Sequence, residues 1–370
     1  MSGAAAGPAP ARIDSLTGLR WWAAFGVFIF HMRVFAPVPG LSAVAPYGNY
    51  GVAFFFVLSG FVLTWAAARP TTVRNFYWRR FARIYPANFV ALLLAIPVFY
   101  QLFPDQTVPA WVKPFDLGIV VLSALLLQAW SSNPQVIFSG NPAAWTLSVE
   151  MLFYAIHPFV LRLLRGLGTR GAAIFVISVL VTSFVYRAVR FAGVPGWWQH
   201  LPIPVTRVPE FLLGMGIALL VARGWRSHIR PLWIYLAITG WIGCQVLLRV
   251  TGRLPELSRV MTGFEPEVLV LLFGLLVLAV AERDLRGGAS ILRQRWLVRL
   301  GEWSFAFFLV HATVMYAVAR VVGMQKPALS NLLWYPVLFA LMLLVGWALY
   351  RFVEHPVELR LRKFGNRRFT

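Results

Sequence analysis

Ten apolar stretches, at about 17–36, 50–68, 86–103, 145–161, 171–189, 205–222, 231–248, 267–282, 300–320 and 332–352, punctuate the chain. Each approaches the roughly 20 residues that a helix needs to cross a bilayer. Only helices and closed barrels satisfy their backbone polar groups inside lipid. Runs this long read as helices. The expected fold is therefore all-α: a polytopic integral membrane protein of about ten spans. A further run, Leu117 to Trp130, is short for a span and reads as a re-entrant segment. Leaving it uncrossed puts most loop arginines on one side, as the positive-inside rule requires, and places both termini in the cytoplasm.

Composition agrees. The chain of 370 residues is 59% hydrophobic and 13% charged, against about 25% charged residues in soluble domains. Its net charge is +21. That excess reads as cytoplasmic loops and headgroup contacts, not as nucleic-acid binding. The single cysteine, Cys244, leaves no internal disulfide or Cys-based metal site. The expected organisation is a disordered segment at 1–12, a membrane domain at 13–358 and a basic cytoplasmic tail at 359–370. A cleaved signal peptide is not expected, because the first apolar segment carries His31 and is followed by Arg33.

Polar residues inside the spans are the functional candidates, because burying them in lipid is costly. Arg20 and His31 are eleven residues apart in the first span, on one helix face and about 16 Å apart along the axis. One offers a permanent cation and the other a proton acceptor near neutral pH. Arg79, Arg80 and Arg83 cluster at the inner end of the third span. They read either as a headgroup anchor or as a clamp for the phosphates of a nucleotide or coenzyme A. Glu150 falls one turn inside a span, with Thr146 on the same face. It reads as a capping arrangement, or as a group that orients His31 or a substrate hydroxyl. Arg207 and Glu210 are one turn apart and can pair. Ser59-Gly60 reads first as a packing device, since no base stands beside it in the sequence. His311 lies inside the ninth span, and Glu354 is expected to pair with an arginine. No P-loop, dinucleotide fingerprint or HExxH motif is present, and few acids are available to a divalent metal.

In order and spacing these segments resemble the membrane acyltransferase-3 family, polytopic O-acyltransferases related to those that acetylate bacterial surface polysaccharide. Arg20 and His31 match its Arg-x10-His element, and Arg79 and Arg83 its Arg-x3-Arg pair. Ser59 to Phe61 match SGF, and Trp145 to Glu150 match W-[ST]-L-x-x-E. Arg207 to Met215 match R-x-x-E-F-x-x-G-M, and Gly301 to His311 match G-x-x-S-F-x5-H. The likeness runs from about 13 to 358. The opening TGLRWWAA is similar to the actinomycete branch that acylates sugars of macrolide antibiotics.

The resemblance implies an acyl-CoA donor, no metal, and a hydroxyl-bearing glycan or glycoside as acceptor, such as a macrolide or a surface glycan. His31, Arg20 and Glu150 are then the expected catalytic group. Arg79, Arg80 and Arg83 are expected to bind the donor. Ser59, Trp145, Thr146, Arg207, Glu210 and His311 are expected to contact substrate. The bilayer is the other partner, nucleic acid is not, and the oligomeric state is unreadable. The competing readings are a transporter or flippase for a lipid-linked sugar, whose buried charges would line a substrate path, and a glycosyltransferase using a polyprenyl-phosphate donor.

Overall fold

The computed structural model describes residues 12–68, 71–102, 109 and 111–369; the segment expected to be disordered lies, apart from Arg12, outside them. The long helices are α1 (Asp14–Phe35), α2 (Gly51–Ala66) and α3 (Val73–Phe99), then the short α4 (Leu117–Ala124). After these come α5 (Trp145–Leu164), α6 (Thr169–Phe191), α7 (Val208–Ala222), α8 (Pro231–Thr251) and α9 (Pro255–Leu285). The chain closes with α10 (Arg295–Val322), α11 (Trp334–Leu349) and α12 (His355–Phe369). A single two-residue parallel pairing, Tyr100–Gln101 with Lys113–Pro114, is the only strand structure among the described residues.

Nine helical segments among the described residues are long and apolar enough to cross a membrane. The ninth unites α11 and α12 through a π-helical turn, Tyr350–Glu354. The first expected span, α1, is not among the nine: it has 22 residues but carries Asp14, Arg20 and Arg33, which lower its hydropathy. Its length, about 33 Å, still matches a bilayer core. The run 117–130 does not form a spanning helix. Eight residues of helix reach only about 12 Å, and the rest turns through the short helical segments Gln128–Trp130 and Pro134–Ile137.

Close backbone packing organises the bundle. Gly60 on α2 and Gly214 on α7 face one another. A methyl group on Gly60 would overlap the Phe211 carbonyl, and one on Gly214 would overlap that of Val57. Helices in lipid associate through small residues, because apolar side chains gain nothing by leaving the tails. The Ser-Gly and Gly-x-Gly elements of these spans are therefore packing devices in part. Aromatic rings lock α1, α10 and α11 together: Trp21, Phe28, Phe307 and Phe339 meet edge to face. By contrast only 11% of the apolar window of α6 and 22% of that of α8 is buried, so these two form the rim.

Polar contacts fix which helix ends meet. Ser15 donates from its backbone nitrogen and hydroxyl to Asp284, at 2.9 and 2.6 Å, tying the start of α1 to the end of α9. Arg223, just after α7, donates to the Leu164 and Arg165 carbonyls at the end of α5. Ser227 donates twice to the fully buried Glu282 on α9. Trp78 on α3 donates to the Leu361 carbonyl of α12 at 2.6 Å, and Gly365 of that helix leaves room for the Trp78 ring. The beginnings of α1 and α3 and the ends of α2, α5, α7 and α9 thus share one end of the bundle with α12. This is the arginine-rich end.

The α2–α7 contact gives a direct test. Gly214→Ala is expected to lower stability by about 1–3 kcal/mol through overpacking. Gly166→Ala, where an added methyl meets nothing within 4 Å, serves as the control. Thermal unfolding of the purified protein in detergent measures both; equal melting temperatures would show that the contact tolerates a side chain.

Candidate functional site

Two cavities meet at the arginine-rich end. The outer one, about 390 Å³, is bordered by Arg12, Arg79, Arg80 and Arg362, with Arg20 at its inner limit. The inner one, about 150 Å³, runs between α2, α3, α5 and α10. Ser59, Arg83, Thr146, Glu150 and Tyr154 supply its polar lining, and Phe55, Phe56 and Phe308 its apolar end. Arg20, Val62, Leu63 and Arg80 border both spaces. The two arginines therefore stand at the junction of the two.

The charges around that junction are unequally neutralised. Arg83 sits 2.5 Å from Glu354 and 3.0 Å from Glu358; the arginine expected as a neighbour of Glu354 is thus Arg83, 271 positions away in the chain. Glu358 also meets Arg362 at 3.3 Å. Arg12 pairs with Asp14 and Glu302, and Arg79 donates to Asn366 at 2.8 Å. Arg20 and Arg80 form no ion pair among the described residues. Arg80 packs 6.0 Å from the rings of Phe76 and Tyr154, and its Nε is buried without an acceptor. The carboxylates nearby, Glu150 in the same cavity and Glu354 and Glu358 beside Arg83, act on Arg20 and Arg80 through space and not in contact pairs. These two guanidiniums therefore make the junction a place for an anionic ligand, whose planar oxygens they can hold in pairs.

Glu150 points into the same space. It accepts from the Tyr154 hydroxyl at 2.9 Å, one helical turn on. It makes no hydrogen bond with His31. Thr146 donates to the Ala143 carbonyl and lines the cavity. Trp145 lies outside the cavity lining, with its ring against Phe56 and Phe138. Tyr154 had a usable sequence signal, an aromatic hydroxyl four residues after Glu150. Of the residues that close the cavity from α10, Ser304 and Phe305 lie in the G-x-x-S-F-x5-H element, whereas Phe308 carried no signal of its own.

His31 lies beyond the cavity. Phe308 closes its apolar end, and the ring of Phe308 is 5.4 Å from that of His311. His311 in turn is 4.8 Å from His31. His31 is half-buried and makes no hydrogen bond among the described residues, so its nitrogens are available. The structure thus brings Arg20, Arg80, Arg83, Glu150, Ser59 and Thr146 together. It sets His31 and His311 one ring further in, and leaves Arg79 on the outer rim.

Arg207 and Glu210 occupy the other end of the bundle. They pair at 2.7 Å in a separate cavity of about 430 Å³ between the start of α2, the end of α6, the start of α7 and the first half of α9. A second pair, Arg187 with Glu267 at 2.8 Å, lines the same space. Glu210 Oε2 is buried there and meets no donor.

Residues 13–351 match the acyltransferase-3 family profile, described as an acyltransferase domain. Acyltransferase MdmB of Streptomyces mycarofaciens is 33% identical, covering 98% of this chain and 95% of that protein. The exopolysaccharide production protein ExoZ of Rhizobium meliloti is 28% identical, covering 87% and 92%. The peptidoglycan O-acetyltransferase OatA of Listeria monocytogenes is 24% identical, covering 94% of this chain and 56% of that protein. No solved structure matches. With nearly the whole chain inside the profile and multiple spanning helices around a cation-lined cavity, the protein is a multi-pass membrane O-acyltransferase and belongs to the acyltransferase-3 family.

Proposed function

We propose that this enzyme moves an acyl group from acyl-CoA to a hydroxyl of a carbohydrate, carried either by a surface glycan or by a glycosylated natural product such as a macrolide. The observation that carries the donor assignment is a pair of arginines without contact ion pairs among the described residues, Arg20 and Arg80, at the junction of two open cavities. A coenzyme bearing phosphates supplies oxygens that both guanidiniums can hold in contact. The surrounding loops are rich in arginine, so this end faces the cytosol, where acyl-CoA is found, and both termini lie there.

The chemistry follows from the donor. A thioester is already activated, so the remaining need is a base for the attacking alcohol. His31 takes the acceptor's hydroxyl proton as the oxygen bonds to the acyl carbon. The tetrahedral intermediate then expels the coenzyme A sulfur, and His31 returns the proton to that thiolate. Such proton transfer contributes about 10²–10⁴-fold. Arg20 and His31 are about 16 Å apart along α1, a reach comparable to an extended pantetheine arm. Glu150 and Tyr154 line the path between the phosphate site and the apolar end of the cavity. Arg207 and Glu210, in the cavity at the far end, fit a polyhydroxyl acceptor, with the free Glu210 oxygen taking a hydroxyl proton in a hydrogen bond. The names of the relatives, one concerned with exopolysaccharide and one with peptidoglycan, favour a carbohydrate acceptor.

Incubation with labelled acyl-CoA and candidate glycosides should release free coenzyme thiol and give labelled ester. Movement of a sugar without thiol release would favour the transporter reading. His31→Ala is expected to cut turnover at least about 100-fold while leaving folding intact; near-normal turnover would remove His31 as the base.

The arginines should separate. Arg80→Ala removes a cation that forms no contact ion pair, so melting temperature should hold while the KM for acyl-CoA rises about 10–100-fold. Arg83→Ala strands the buried Glu354 and should cost about 3–5 kcal/mol of stability. The reverse ranking in unfolding and kinetic measurements would return Arg80 to a lipid-anchoring role.

A further inference from the structure

One buried polar atom near His31 has no use in the mechanism so far. His311 Nδ1 lies 2.5 Å from the Phe308 carbonyl oxygen. A carbonyl only accepts, so Nδ1 carries the proton and donates it. A neutral imidazole has one proton to place, which leaves Nε2 with a lone pair and an acceptor role. Nε2 is buried and meets no donor. Orphaned buried acceptors are uncommon and call for an explanation. The polar ring that His311 touches is His31, 4.8 Å away between centroids and tilted by 51°. Two imidazoles sharing an N–H···N bond of about 2.9 Å have centroids about 5 Å apart. The centroid separation matches that of a bonded pair; the rings are tilted and form no hydrogen bond in this structure, so the bond requires the His31 ring to turn.

We propose that His311 is the positioning residue of the transfer reaction: its Nε2 lone pair accepts the N–H of His31, fixes that ring, and leaves the opposite nitrogen of His31 to take the acceptor's proton. The inference rests on His31 being the base. The arrangement parallels a hydrolytic triad, in which a third group orients the base and stabilises its protonated form. A neutral imidazole does here what a carboxylate does there, and no carboxylate among the described residues hydrogen-bonds either ring. Its advantage is that it adds no net charge to the spans. Proton balance is simple. The acceptor proton goes to His31 and on to the departing thiolate, while His311 gains and loses none. The backbone carbonyl of Phe308, whose ring closes the donor cavity, holds His311 in the required tautomer.

The test compares three substitutions at His311 in the full-length protein. His311→Gln keeps an acceptor oxygen near the Nε2 position, whereas His311→Asn is too short and His311→Leu has none. Leu and Asn are expected to lower kcat about 100-fold, with KM for acyl-CoA and for the glycoside acceptor unchanged. Gln should recover at least tenfold of that loss. Placed on His31→Ala, His311→Leu should add no further loss, since it acts through the missing ring. Normal turnover in His311→Leu would overturn the proposal. So would equal losses in Gln and Asn, which would signal packing alone, or losses that multiply in the double variant. An active His31→Ala enzyme would bring down both this inference and the base assignment. An inactive one beside a fully active His311→Leu enzyme would bring down this inference only.

Discussion

Two half-buried arginines at the junction of two cavities, neither in a contact ion pair among the described residues, dominate this molecule. Arg20 and Arg80 come from different helices and border the same two cavities. Their neighbours are treated differently. Arg83 is held by two glutamates of the chain's end, and Arg12 and Arg362 are paired as well. The contrast between paired charges around the junction and two guanidiniums within it that lack contact partners is what the proposed donor site rests on.

The rest of the fold serves to hold those two groups at that depth. Ser15 pins the beginning of α1 to Asp284, which sets where Arg20 sits. The mutual contact of Gly60 and Gly214 brings α2 against α7, so that Ser59 faces the cavity. The π-helical turn at Tyr350–Glu354 precedes α12 and ends on the carboxylate that meets Arg83. Wide turns of this kind interrupt helices mainly at functional positions. Here the turn lets the chain's last helix close the arginine-rich end over α3.

The spans themselves were plain in the sequence, because a hydropathy run is a local property. So was the shared face of Arg20 and His31, since helical spacing alone dictates it. The helices nonetheless outrun the apolar stretches: α3 begins at Val73, well before 86, because Thr72 caps it by accepting from the Asn75 nitrogen. What spacing could not carry is partnership at long range. Arg83 and Glu354 are separated by 271 positions, so nothing local marks Arg83 as already engaged and Arg80 as open. Glu150 illustrates the same limit. A reading of the motif allows it to orient His31, whereas the structure gives it Tyr154 and the arginine junction. His31 finds its neighbour on α10, another long-range contact.

A density map of the protein with acyl-CoA bound tests the central claim most directly. The account predicts coenzyme phosphate density in contact with the guanidinium groups of Arg20 and Arg80, and the thioester directed past Phe308 toward His31. Phosphates bound instead among Arg187 and Arg207 at the opposite end, with the junction empty, would contradict it.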